Sequence, residues 1–169
     1  ISFPSLHTNS VVHLVCESNA ANDEGKRLVI IFEQRGCIYC KIMHEKLLSD
    51  PEISAFIKAN FKVVQYNMFG DEEVTDLDGE ILTEKTAARK WGYIFTPTIV
   101  FLPDTVPEGK NVGEAAVATM PGAFGKWTFL NMFRWVAQKG YEGEEHFQKF
   151  HARIIQGLRD EGRLGPAAN

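Results

Sequence analysis

Leu28-Val29-Ile30-Ile31-Phe32, followed five residues on by Cys37-Ile38-Tyr39-Cys40 and then Lys41-Ile42-Met43-His44-Glu45-Lys46-Leu47-Leu48, decides the fold. The first run is apolar on both faces and rich in β-branched residues, which predicts a buried central strand. The last run reads as a helix ending near Ser49-Asp50. A thiol at the start of a helix faces the partial positive end of the helix dipole, and this favours thiolate over thiol. A second thiol one turn later can close or reopen a disulfide with little backbone movement. Strand, CxxC and helix in that order predict a reversible dithiol/disulfide centre.

Outward from this centre, Pro51 suits the first turn of a second helix over Glu52 to Ala59. Phe61 to Tyr66 is a strand. Residues 71–80 carry six carboxylates and no base, and Asp78-Gly79 is read as the turn of a solvated hairpin. An EF-hand calcium loop needs a further Asp before its Gly, so that pattern fails. Thr83 is placed as the cap of a helix running to about Lys90. Thr98 to Leu102 is a strand, residues 103–113 a loop, and Ala115 to Thr119 an edge strand. Trp127 to Gln138 is a helix with Leu130, Phe133 and Val136 on its core-facing stripe. A last helix, Glu144 to Leu158, aligns Phe147, Phe150, Ile154 and Leu158 and needs a surface to cover them. On the N-terminal side, residues 1–8 read as a lead-in and 9–24 as a helix. The pattern β, α, β, α, β, β, α with helices added at the ends predicts a mixed α/β sheet covered on both faces.

Composition narrows the function. The chain has 169 residues, 44% hydrophobic and 24% charged, which suits one globular domain over 1–169. Its core is expected over about 26–139, with 140–169 as a C-terminal helical extension. A net charge of −4 and a pI near 5.7 argue against a nucleic-acid surface. No apolar run approaches the roughly 20 residues of a membrane-spanning helix. The sequence opens at Ile1 without a Met, consistent with a removed leader. Three cysteines are too few for a disulfide-stapled scaffold. Cys16 is left over if Cys37 and Cys40 pair, and is read as a small buried hydrophobe.

Cys37, as the more exposed and more acidic thiol, is the candidate nucleophile, and Cys40 the resolving thiol. A structural disulfide and a metal site on Cys37, Cys40 and His44 are the other readings. Zinc usually takes four ligands, and no second Cys/His cluster is visible. Lys41 excludes the CxxCH haem-attachment signature. His44 is read as a partly exposed helix residue. Glu33 has two readings. It is either a half-buried base for Cys40 with a raised pKa, or a surface carboxylate paired with Arg35 or Lys41. Tyr39, Trp91, Tyr93 and Phe95 either edge the site or join the core.

The strand Leu28–Phe32, the Cys37-Ile-Tyr-Cys40 helix start and Thr96-Pro97-Thr98 before the next strand together resemble the thioredoxin superfamily. The resemblance covers 26 to about 139 and implies a thioredoxin fold. It also implies a cis Thr96-Pro97 bond facing the disulfide, with Thr96 and Pro97 as substrate-binding residues that pair with a bound segment as an extra strand. The segment Phe32 to Lys41 is similar to thioredoxin-like proteins of bacterial envelopes, in particular the SoxW-type periplasmic thioredoxins of sulfur-oxidation systems. That similarity implies a periplasmic, monomeric thiol–disulfide oxidoreductase with no cofactor and no metal. Its partners would be protein disulfide or dithiol substrates and a membrane-bound thiol protein as electron donor. An oxidase, an isomerase, a cytochrome c maturation reductase and a non-catalytic binding module on the same fold are the alternatives. The chain departs from housekeeping thioredoxin in three places. Ile-Tyr replaces Gly-Pro, Gly36 replaces the Trp before the first Cys, and Ile31 replaces the buried Asp six residues upstream of it.

Overall fold

Arg27–Glu33 (β2) lies inside a four-stranded mixed sheet, and its five middle residues, Leu28 to Phe32, are fully buried. The computed structural model describes residues 12–165. The readings for residues 1–8 and for 9–11 therefore lie outside the described residues. Phe61–Asn67 (β3) pairs with β2 in parallel, with Ile30 opposite Val64. Thr98–Phe101 (β6) pairs with β2 antiparallel on its other side, and Ala118–Pro121 (β7) closes that edge antiparallel to β6. The strand order is β3-β2-β6-β7. This is a thioredoxin fold, a mixed sheet with flanking helices.

Val12–His13 (β1), Glu73–Thr75 (β4) and Ile81–Thr83 (β5) form a second, three-stranded sheet, with β1 parallel to β4 and β4 antiparallel to β5. Gly79 takes φ +89° in the turn between β4 and β5, a left-handed conformation open to glycine at little cost. The hairpin forms where the sequence places it. It is not a wholly solvated one, because Asp76 is completely buried.

Helix Leu14–Asp23 (α1) buries Leu14, Ser18 and Ala21, which recur at helical spacing. Cys16 falls on the opposite side of that stripe and is exposed, which corrects its assignment to the core. Helix Ile38–Ile42 (α2) runs directly into a π-helical turn, Met43–Leu47, so the segment after CxxC is not one regular α-helix. Pro51–Asn60 (α3) starts on Asp50, whose side chain accepts the backbone N–H groups of Glu52 and Ile53. Glu84–Trp91 (α4) starts on Thr83 in a reciprocal cap with Thr86 and ends at Gly92, φ +81°. Val112–Ala115 (α5) occupies ground read as loop and strand. Asn111 and Glu114 form a capping box there, so the edge strand begins three residues later than expected.

Leu28, Ile30 and Phe32 on one face of β2 pack with Val64, Tyr66, Val74, Trp91, Val100 and Val112. Phe32 is the hub, with ring centroids of Tyr66, Trp91 and Tyr93 all within 6 Å. Val29 and Ile31 are equally buried on the opposite face. A fully buried side chain of this size contributes about 1.5–3 kcal/mol, so β2 anchors the sheet.

The chain divides after Ala123 into two compact units. The second contains Lys126–Ala137 (α6) and Phe147–Asp160 (α7), joined through a 3-10 turn, Gly140–Glu142. Helix α7 packs on α6: Trp135 meets the Phe147 ring at 6.0 Å, and Asn131 bonds His151 at 3.0 Å. The helix starts three residues later than expected. Its buried positions are Phe150, Ile155 and Leu158, with Ile154 and Phe147 only part-buried. No helix among the described residues is long and apolar enough to cross a membrane.

Candidate active site

Cys37 sits at the cap of α2 and Cys40 one turn inside it. The two are joined as a disulfide with Cα atoms 5.3 Å apart. Gly36, φ +77°, makes the turn out of β2 that sets Cys37 at the helix start. Cys37 is half-buried and Cys40 is 4% exposed. The inequality expected from their positions is therefore present. The Cys40 backbone N–H points at Cys37 Sγ from 3.1 Å. An N–H so placed at a helix start is a donor of the kind that stabilises a thiolate.

The Thr96-Pro97 peptide is cis. Cys37 Sγ lies 3.5 Å from both the carbonyl oxygen and the hydroxyl of Thr96. Thr96 O is thus presented at the sulfur that an incoming chain must reach. The neighbouring Gly122 N–H donates to Pro97 O at 2.8 Å, tying this loop to the end of β7.

Glu33 ends β2 and is bonded to neither Arg35 nor Lys41. Its Oε1 is 2.5 Å from His44 Nε2, and its Oε2 accepts from Gln65 Nε2 at 3.1 Å. Lys41 instead lies 3.8 Å from Glu45. The hydrogen bond to Glu33 raises the His44 pKa above its ordinary 6.5, against the opposing effect of burial. Glu33, Gln34, Gly36, Cys37, Ile38, Cys40, Lys41 and His44 line one groove of about 430 Å³. Sequence reasoning placed Glu33 near the cysteines and missed its partner. His44 follows Cys40 by four residues, and that spacing was the available signal. No group of three or more His, Cys, Asp or Glu suited to a metal occurs among the described residues.

The aromatic candidates separate. Tyr39 and Phe95 are exposed beside the site, together with Ile38 and Ile94. Trp91 is a core residue whose Nε1–H donates to Asp76 at 2.8 Å. Tyr93 is part-buried against Phe32.

A family model described as a thioredoxin-like domain matches residues 17–127. The chain belongs to the thioredoxin-like domain family. No curated protein matches it. Among solved structures, a thioredoxin-fold protein from Helicobacter pylori is similar with a TM-score of 0.61 at 15% identity, covering 88% of this chain and 99% of that one. A thioredoxin from Thermus thermophilus is 28% identical with a TM-score of 0.56, covering 78% of this chain and 90% of its own. A thioredoxin-like fold carrying a CxxC disulfide at a helix start is the apparatus of a thiol–disulfide oxidoreductase, with protein thiols as partners. In this thioredoxin-like protein the position of the usual buried Asp is the apolar Ile31, and the groove beside the cysteines carries Glu33, His44 and Lys41.

Proposed function

We propose that this protein reduces protein disulfides in the bacterial periplasm, as a SoxW-like reductant serving sulfur oxidation. The observation that carries the reductase chemistry is the asymmetry of the pair: Cys37 is accessible and faced by an N–H, whereas Cys40 is buried. Cys37 thiolate attacks a substrate disulfide to give a mixed disulfide. Cys40 then attacks Cys37 Sγ and releases the substrate as a dithiol. Glu33, on the wall of the same groove, serves the proton transfer.

Protein rather than small thiols as substrates is supported by the exposed rim. Ile38 and Tyr39 follow Cys37, Ile94 and Phe95 precede Thr96, and all four are more than half exposed. Apolar side chains left in water around a reactive centre suit a polypeptide partner. A bound segment would lie along Thr96 and Pro97 and pair with the Thr96 backbone. The electrons would return from a membrane-bound dithiol protein. The periplasmic assignment rests on the likeness of Phe32 to Lys41 to envelope thioredoxins.

The test is insulin-disulfide reduction together with the Cys37–Cys40 reduction potential. A potential near the thioredoxin value of about −270 mV supports the reductase, and one near about −120 mV makes the protein an oxidase. No insulin reduction combined with an unreactive Cys37 would make it a binding module. Loss of sulfur-compound oxidation on deletion of the gene, restored by a periplasmically targeted copy alone, tests the pathway and compartment.

A further inference from the structure

We propose that His44 is the proton acceptor for Cys40, and that Glu33 acts through it as the positioning residue that holds the imidazole. The inference rests on the reading of Cys37 and Cys40 as attacking and resolving thiols.

Three observations carry it. Cys40 is buried, so its thiol cannot hand a proton freely to bulk water. Ile31 supplies no carboxylate on the strand below. His44 lies one turn after Cys40, where side chains four apart on a helix meet, and lines the same groove as both cysteines. It stands at the π turn, a local helix form often found at functional sites. Glu33 is already committed to two donors, His44 and Gln65. A carboxylate on Nε2 fixes an imidazole in the tautomer with Nε2–H, leaving the Nδ1 lone pair to accept a proton.

The step balances without any further reactant. In the mixed disulfide, the Cys40 proton passes to His44, giving an imidazolium whose Nε2–H donates to Glu33 Oε1. The freed electron pair on Cys40 Sγ forms the bond to Cys37 Sγ. The bond between Cys37 Sγ and the substrate sulfur breaks, and its electron pair leaves with the substrate thiolate. The imidazolium then returns the proton to that thiolate. The other titratable groups lining the groove are Glu33 at the end of β2, Cys37 before α2 and Lys41 on α2, and Lys41 is exposed and paired with Glu45. Among the described residues lining the groove, Glu33 is the single carboxylate, and its hydrogen bond raises the proton affinity of the imidazole above the ordinary value.

The experiment is stopped-flow reaction of the reduced full chain with dithiobis(nitrobenzoate). The first thionitrobenzoate released reports Cys37 attack, and the second reports resolution by Cys40. Because thionitrobenzoate leaves unprotonated, the second phase isolates loss of the Cys40 proton. In the parent its rate should rise with pH through an inflection above about 6.5. His44→Gln should remove that inflection and slow the second phase about 100-fold near pH 7.5, the low end for general-base catalysis. Glu33→Gln should keep the inflection and move it downward, because the imidazole loses its anionic partner while burial still opposes the charge. The inflection must coincide with the titration of the His44 ring followed by NMR in the parent. An inflection retained in His44→Gln overturns the proposal, as does one lost in Glu33→Gln but kept in His44→Gln, which would make Glu33 itself the base. Failure of the parent to reduce insulin, with both release phases normal, would instead remove the reductase reading and leave this one standing.

Discussion

Two carboxylates in the same compact unit are used in opposite ways. Asp76 is wholly buried and every lone pair it can offer is taken: Oδ1 accepts the backbone N–H of Leu77 and Val112 at 2.7 and 3.1 Å, and Oδ2 accepts Lys90 Nζ and Trp91 Nε1 at 2.7 and 2.8 Å. Those bonds tie the β4–β5 turn to α4 and to the start of α5. Lys90 is further held by Asp78 and Glu80. Burial alone would lower the Lys90 pKa, but these hydrogen bonds outweigh it and hold the ammonium above its ordinary range. Glu33 is part-exposed and has two donors, one of them an imidazole whose pKa it raises above the ordinary 6.5. A carboxylate saturated by fixed donors is a clamp. A carboxylate shared with an imidazole at the edge of a groove can pass a proton on. The difference lies in the partners and their access to water, not in the acid itself.

The comparison says that chemistry and stability are supplied by separate places, and the largest effect should come from the cysteines. Cys37→Ser should bring insulin reduction down to background while leaving the fold intact, and Cys40→Ser should accumulate mixed disulfides visible by mass spectrometry. Full activity in Cys37→Ser with loss in Cys40→Ser would reverse their roles.

Asp76→Ala should do the converse. Removing the carboxylate leaves the N–H groups of Leu77, Val112 and Trp91 without their acceptor, at about 1–3 kcal/mol for each that stays buried, while Lys90 keeps Asp78 and Glu80. Denaturant unfolding should show that loss, with the Cys37–Cys40 potential unchanged. A shift in potential as large as any produced by Glu33→Gln would break the division proposed between the two sites.

Helix α7 should contribute stability and not chemistry. Phe150, Ile155 and Leu158 are each buried and each contributes about 1.5–3 kcal/mol at full burial. Deleting residues 144–169 should lower the melting temperature, and the dithiol should keep its reactivity toward dithiobis(nitrobenzoate).

Glu33→Gln should have the smallest effect on stability, and a pH-dependent one. The folded pKa of His44 is raised above the unfolded value, so the folded state holds the proton more tightly than the unfolded state does. The contribution of the pair is therefore full below about pH 6.5 and fades as pH rises through the folded pKa. Because both side chains are part-exposed, it should stay under about 1 kcal/mol. Parallel urea titrations of parent and variant at pH 5.5 and pH 8.5 check this. An equal difference at both pH values would mean that Glu33 stabilises through Gln65 rather than through His44.

The local signals of this fold were legible. An unbroken apolar run marks β2, Asp78-Gly79 the hairpin turn, Pro51 the start of α3 and Thr83 the cap of α4. Each depends on neighbours within a few residues. The capping box of Asn111 and Glu114 was equally local and passed unread inside an expected loop. What the sequence hid were pairings set by tertiary approach. Asp76 sits among other acids and reads as solvated, but three of its four partners lie 14 to 36 residues further on and only the folded turn brings them in. His44 is separated from Glu33 by a strand end, a turn and a helix start, so no periodicity connects them. Cys16 was misplaced because thiols are often buried, although Leu14, Ser18 and Ala21 already define the covered side of α1.

The π turn at Met43–Leu47 also fixes the length of the chain between the disulfide and α3. An i→i+5 bond, such as Leu48 N–H to Met43 O at 2.9 Å, encloses one residue more than an α-helical bond. The segment therefore carries a surplus residue that a regular helix would not need. Deleting one position between 43 and 47 would let the helix run on as α, because the wide turn spends that residue without advancing the helix face. Leu48, 0% exposed, would keep its place in the core. Homologous chains one residue shorter here should have a regular helix with the flanking apolar positions on the same face.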